Sequence, residues 1–448
     1  MRSTRRPAQA IAAAAAIALL AAATPAAHAG RAADAAGTAD AGGAAGGAAG
    51  AGGAVAGGRG VAGGRCSADV SLLGFTDDLD KTTFEGTAVG GLSALAPAHA
   101  SRALALVDNV GTTPARLYEL DVNQRRTLSA QIRGMTTLRR PDGVPYTGAD
   151  FDGEGLVAER GGHTVLAGSE TEPSIRRFRL SDGRQTTELP VPERFRVAPA
   201  GQAAVNQTFE ALTATPDGRV LYAGMEGPLS ADGRDAEGRG LQRILRYEGR
   251  PGSAYAPVAQ HAYRTDPGLG LVELVALADG RLLSLERGFT SGVGNTVRVY
   301  RVSATGAADV SGVESLSTLT DRRAWLGKRL LADIADCPPS GATAKQPQPN
   351  PLLDNIEGMA LGGRLSGGRR TLHLLSDDNN SATQTTRLYA LSVRLADEPE
   401  LPGRAPLPAT AHQPGPTSGP TSGTQLPPAT VNGVTPPFPG RPSPASPR

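Results

Sequence analysis

Carboxylates recur along this chain at a spacing that chemistry can use. Glu154, Glu210, Glu273 and Glu357 each open a short phrase: Glu154-Gly155-Leu156, Glu210-Ala211-Leu212, Glu273-Leu274-Val275 and Glu357-Gly358-Met359. A first copy, Gly90-Gly91-Leu92, has glycine in the acid's place. In every copy an acidic residue closes the next apolar run: Asp108, Glu170, Glu226, Glu286 and the pair Asp377-Asp378. If the opening carboxylates start the innermost strands of a radial repeat, they converge on one end of a central channel. Like charges about 6 Å apart repel by roughly 3 kcal/mol at an effective dielectric near 20. Such a ring therefore demands a bound cation, protonated carboxyls or arginine partners.

Oxygen-rich loops such as Ser376-Asp377-Asp378-Asn379-Asn380 and Ser169-Glu170-Thr171-Glu172 suit a hard divalent cation, calcium above all. On this reading Glu154, Glu210, Glu273, Glu357, Asp377 and Asp378 are metal ligands. Glu170, Glu210 and Glu226 are the catalytic candidates, able to complete the site or act as general base. Arg176, Arg287, Asn379 and Asn380 are the candidates for holding an anionic substrate, with Arg177 and Arg387 nearby in the sequence. Asp150, Asp152 and Glu154 alternate, which in an extended chain turns all three to one side. A second reading stands beside this one, in which each glutamate accepts backbone N–H groups of the adjacent unit and staples the ring. The chain contains no Gly-x-Ser-x-Gly elbow, no phosphate-cradling Gly-x-x-x-x-Gly-Lys loop and no His-Glu-x-x-His helix.

The elements that must position these residues read as strands. Short β-branched and leucine-rich runs are separated by turns such as Ser181-Asp182-Gly183, Pro216-Asp217-Gly218 and Ala278-Asp279-Gly280. The phrase opens units 56 to 84 residues apart, each with room for four antiparallel strands. Radial repetition of such units predicts an all-β fold, a β-propeller with five recognisable repeats and five or six blades. Val70 to Asp80 supplies either an outer strand that closes the ring or part of a sixth, degenerate blade. Asp321 to Ala335 reads as helix-like, followed by a Pro-rich loop from Pro338 to Pro351.

Bulk features bound the rest. Of 448 residues, Ile11 to Ala23 forms an apolar run after Arg2, Arg5 and Arg6, with Ala27-His28-Ala29 as a cleavage site. This predicts a signal peptide over residues 1–29, because a membrane span needs roughly 20 apolar residues. An Ala/Gly-rich linker follows over 30–65, the propeller over 66–396, and a Pro-rich disordered tail over 397–448. The net charge of +2 gives no sign of a nucleic-acid partner. The two cysteines, Cys66 and Cys337, predict one disulfide in an exported chain. The expectation is a secreted monomer with a small-molecule substrate.

Several phrases together carry a family resemblance: Gly90-Gly91-Leu92-Ser93, Phe151-Asp152-Gly153-Glu154-Gly155-Leu156, Asn206-Gln207-Thr208-Phe209-Glu210-Ala211-Leu212, Leu285-Glu286-Arg287, Asn355-Ile356-Glu357-Gly358 and Ser376-Asp377-Asp378-Asn379-Asn380. They resemble the secreted bacterial phytase-like family, whose members are described as having esterase-like activity of phytase. The resemblance covers about residues 70–395. It implies a propeller related to phosphatase- or phytase-type hydrolases, whose β-propeller relatives hold substrate phosphates with calcium. The Arg-His-Gly signature of histidine phosphatases is absent, so no phosphohistidine is expected. Two functions follow as expectations. One is an exported hydrolase of phosphate or carboxylic esters with a divalent cation. The other is a non-catalytic extracellular binding propeller whose acidic ring is structural.

Overall fold

The computed structural model describes residues 64–98, 101–108 and 111–395. The signal peptide, nearly all of the linker and the Pro-rich tail read from sequence lie outside these residues. Strands alternate with glycine-bearing turns, and positive φ angles at Gly183, Gly218 and Gly280 confirm the three turns named above. The result is five antiparallel four-stranded sheets, the blades of a propeller.

Blade 1 comprises Leu92–Pro97, Arg102–Val107, Arg116–Asn123 and Ser129–Thr137 from the centre outward. Blade 2 comprises Gly153–Ala158, Thr164–Ser169, Ser174–Arg179 and Gln185–Glu188. Blade 3 runs Phe209–Ala214, Val220–Met225, Leu241–Gly249 and Tyr255–Arg264. Blade 4 runs Gly270–Ala276, Leu282–Thr290, Gly294–Ser303 and Gly327–Asp333. Blade 5 has Ile356–Leu365, Arg369–Ser376 and Leu388–Arg394, and takes its outer strand, Val70–Thr76, from the other end of the chain. The closing-strand reading therefore holds, and the described residues form no sixth blade. The innermost strands neighbour one another around the ring. Each runs away from one end of the channel and the next strand returns, so opening and closing carboxylates arrive at the same end, here called the mouth.

Adjacent sheets pack through apolar layers. Between blades 1 and 2, Phe151 and Phe178 meet edge to face at 5.5 Å beside buried Leu106 and Leu117. Burying such a side chain contributes about 1.5–3 kcal/mol. Cys66 and Cys337 form the expected disulfide, 271 residues apart in sequence.

One expected element is different. The helix-like stretch Asp321 to Ala335 is the outer strand of blade 4, flanked by single 3-10 turns at Arg322–Ala324 and Ile334–Asp336. Leu331 and Ala332 are buried while Arg329 and Leu330 are exposed, with a register slip at Leu331. Pairing with Arg298–Ser303 satisfies the backbone. Asp321 and Asp333 each cap only one short turn.

Candidate functional site

The repeated phrase is a bulge. Register slips in every inner strand at equivalent places: Leu92/Ala94, Gly153/Leu156, Phe209/Ala211, Leu271/Glu273 and Ile356/Gly358. The residues lifted out of alternation are Ser93, Glu154, Glu210, Val272 and Glu357, and a bulge re-aims a side chain in this way. The small residue that follows has its own cause. A Cβ on Gly155 would lie 2.6 Å from Leu212 Cβ, so blades 2 and 3 can approach only over glycine.

This register sorts the expected residues. In blade 4 the bulge position is Val272, and Arg287, paired with Gly270, stands where blade 3 has Glu226. Glu273 falls one residue later. Its Oε1 accepts the N–H groups of Leu274 (2.9 Å) and Leu212 (3.4 Å), and its carboxylate accepts that of Met359 as well. Burial raises its carboxyl well above the ordinary range despite those three donors. Glu273 is thus a staple across three blades. Glu286 also turns aside, accepting Tyr263 Oη–H (2.5 Å), Asp266 N–H (2.7 Å) and Lys328 Nζ–H (2.5 Å).

In blade 1, Ser93 holds the bulge and donates to Gly153 O at 2.7 Å. Gly90 is not a missing carboxylate. A Cβ there would lie 2.6 Å from Asp378 Oδ1, which accepts Gly91 N–H at 2.9 Å. Asp378 also pairs with Lys81, so it fastens blade 5 to blade 1.

What remains at the mouth is Asp108, Asp152, Glu154, Glu170, Glu210, Glu226, Glu357 and Asp377, facing Arg287. Asp108, Asp152 and Glu154 bring one oxygen each within 4.8 Å of one another, and Glu154, Glu170 and Glu210 do the same. Glu154 belongs to both sets. Burial, then Glu210, Asp108, Asp152 and Glu170, pushes the Glu154 carboxyl well above its usual range. Burial and the charges of Glu226 and Asp108 push Glu170 up to about 8. Glu210 is raised by burial and by Glu226, Glu170 and Glu357. Asp377, raised by burial and by Glu357, is hydrogen-bonded to Glu357.

Arg287 Nη2 reaches Glu357 Oε1 at 2.5 Å and Glu226 Oε1 at 3.9 Å. Burial opposes its charge, but Glu357, Glu226, Glu210 and Asp377 outweigh that and hold the proton more tightly. The donors are oxygen only, and Glu170 Oε2 is buried without a hydrogen-bond partner. These buried carboxylates fit a hard cation.

The other sequence candidates have other partners. Arg176 lies over the rings of Tyr146 (4.8 Å) and Phe151 (5.5 Å), and its Nε approaches Glu188 at 3.4 Å. Arg177 holds Glu159 through both carboxylate oxygens. Arg387 holds Asp77 likewise and donates to Pro351 O and Leu352 O. Asn379 and Asn380 adopt left-handed φ of 47° and 52°, and their N–H groups donate to Asp377 and Asp378. They shape the loop that presents Asp377. Asp150 does not join its neighbours at the mouth, since its carboxylate accepts Thr147 N–H at 2.8 Å and pairs with Arg140. The sequence reading gives Asp108 and Asp152 no ligand role of their own. The alternation of Asp152 with Glu154 was the readable signal.

The phytase-like family, described as esterase-like activity of phytase, matches residues 87–380, well over half of the sequence. The chain belongs to that family. The match takes in every residue of this phytase-like mouth, from Asp108 to Asp377. No curated protein matches the chain. Among solved structures, the periplasmic gluconolactonase of Pseudomonas aeruginosa is similar at 13% identity, over 75% of this chain and 95% of that one, with a TM-score of 0.31. The PQQ-bound aldose sugar dehydrogenase of Streptomyces coelicolor is similar at 13% identity, over 74% and 99%, with a TM-score of 0.34. Hydrazine synthase of Kuenenia stuttgartiensis is similar at 11% identity, over 67% and 84%, with a TM-score of 0.31.

Proposed function

We propose that this phytase-like protein is an exported hydrolase that cleaves a phosphate or carboxylic ester at its acidic mouth. The observation that carries the reading is the pair of carboxylate sets sharing Glu154, with Arg287 facing them. Asp108, Asp152, Glu154 and Glu210 would hold a divalent cation, with calcium the best match to all-oxygen donors; when bound, it would neutralise substrate charge. Arg287, held in place by Glu357 and Glu226, donates to an anionic substrate oxygen. Glu226 takes the proton of the attacking water. The water oxygen bonds to phosphorus or to the acyl carbon, and the departing oxygen takes its proton from Glu170, whose raised carboxyl retains one near neutrality. The disulfide suits an oxidising compartment, and no described helix is long and apolar enough to cross a membrane.

The test is hydrolysis of p-nitrophenyl phosphate, phytate and p-nitrophenyl acetate by the whole chain, with calcium and with a chelator. Activity that needs calcium and disappears in Glu210→Gln supports the proposal. Phosphomonoesterase and esterase rates that ignore both chelator and substitution would sink it. The stapling role of Glu273 favours one alternative, a non-catalytic binding propeller. In that case Glu210→Gln lowers the melting temperature and there is no turnover to lose.

A further inference from the structure

The far end of the ring, opposite the mouth, carries an unusual concentration of arginine at the seam of blades 4 and 5. Arg301 and Arg329 stand directly opposite each other on the two outer strands of blade 4. Arg369 and Arg394 do so on blade 5. Like charges placed directly opposite destabilise a sheet, and each pair is at the end of its strands that faces away from the mouth. Asp69 sits between them: Arg329 Nη2 reaches its Oδ2 at 2.8 Å, and Arg301 and Arg394 act on it electrostatically. Arg65 adds a fifth guanidinium that acts on Arg369. Asp279, which also acts on Arg301, is matched by Arg281, so among the described residues Asp69 is the acid left to answer five arginines.

Elsewhere on this end three arginines have their own acids. Arg102 pairs with Glu119, Arg179 with Asp182 at 2.6 Å and Arg246 with Glu248 at 2.6 Å. Those neighbours hold the protons of Arg102, Arg179 and Arg246 more tightly, after burial is counted. At the seam the balance reverses: burial and neighbouring arginines loosen those of Arg301 and Arg369. Arg301 Nε is buried with no hydrogen-bond partner, and Arg329 is 57% exposed.

We propose that the Arg301/Arg329 and Arg369/Arg394 pairs, with Arg65, form a docking surface for a phosphate-rich polyanion. Guanidinium groups contact phosphate oxygens two at a time. The surface spans two blades and is open, so affinity comes from several phosphates bound at once. The carboxylates of the mouth repel the same polymer and fix the orientation, with the far end on the polyanion and the mouth turned outward.

The test is binding of long-chain inorganic polyphosphate to the full chain, in chelator, across about 50 to about 200 mM salt. The expected result is binding that weakens steeply with salt and weakens at least about tenfold in Arg329→Gln/Arg394→Gln, with a salt slope smaller by about two. Arg246→Gln, from a matched pair, leaves it unchanged. Melting temperatures establish that the double variant is folded, and Arg65→Gln gives a milder weakening if it is not. No binding at the lowest salt would overturn the proposal, as would equal binding by all variants. Binding to phosphatidylglycerol vesicles with none to polyphosphate would overturn it too.

Discussion

The mouth makes the metal-free protein dependent on pH in an unusual direction. Glu170 titrates at about 8 when folded, against 4.5 for an ordinary glutamate, because burial and the charges of Glu226 and Asp108 disfavour its anion. A carboxyl raised in the folded state binds protons more tightly there than in the unfolded chain. Stability therefore falls as pH rises between about 4.5 and about 8. At about 1.4 kcal/mol per pH unit, this residue costs roughly 3–4 kcal/mol by pH 7 and about 5 kcal/mol above pH 8. In a domain of this size that is on the order of 5–10 °C of melting temperature. The assay is thermal unfolding from pH 5 to pH 8 in chelator, repeated with calcium in excess. The melting temperature should fall across the window in chelator, stay nearly level with calcium and fall less in Glu170→Gln. A profile that is flat in chelator, or that falls equally with and without calcium, would refute the reasoning.

Other outcomes follow from the same contacts. Arg287→Met leaves Glu226 and Glu357 without their guanidinium, so it should destabilise the protein by about 3–5 kcal/mol in urea titrations at pH 7. The loss should shrink as pH falls, since burial raises both carboxyls and favours their protonation, and an unchanged midpoint would contradict the placement. Glu273→Leu strands three buried N–H groups and should cost at least about 1–3 kcal/mol. Calcium affinity measured by calorimetry should stay the same, because this residue is not at the mouth. Replacing Cys66 and Cys337 together by serine frees a 271-residue loop. A loss of roughly 2–5 kcal/mol is expected at equilibrium in urea, and equal stability of the two forms would count against it.

Much of the fold was legible in the sequence because a propeller writes the same unit repeatedly. The five phrases located the inner strands, and the Gly-containing turns located the hairpins. Spacing alone could not locate the bulge. Glu273 sits one residue past the bulge position and Glu286 one residue before the mouth, and only the pairing of Leu271 with Glu286 and of Gly270 with Arg287 reveals it. A one-residue slip turns a side chain to the other face, which is why two glutamates expected at the mouth are structural. Gly90 misled for a related reason: its lack of a side chain makes room for Asp378 from a blade nearly 290 residues away in sequence. Asp321 to Ala335 imitated a helix because its outer-strand partner is not visible in a local pattern.

The pairing of Val70–Thr76 with Leu388–Arg394 has a consequence for how the molecule comes into being. The first strand of the propeller has no partner until the last has been made. An emerging chain can form hairpins of blades 1 to 4 early, but it carries an unpaired leading strand throughout. Contacts of such long sequence separation slow folding. A truncation before Leu388 would leave two open sheet edges where the ring should meet, each a template for pairing with another chain. Completion of the circle is therefore the committing event, and the acidic mouth cannot be whole before it.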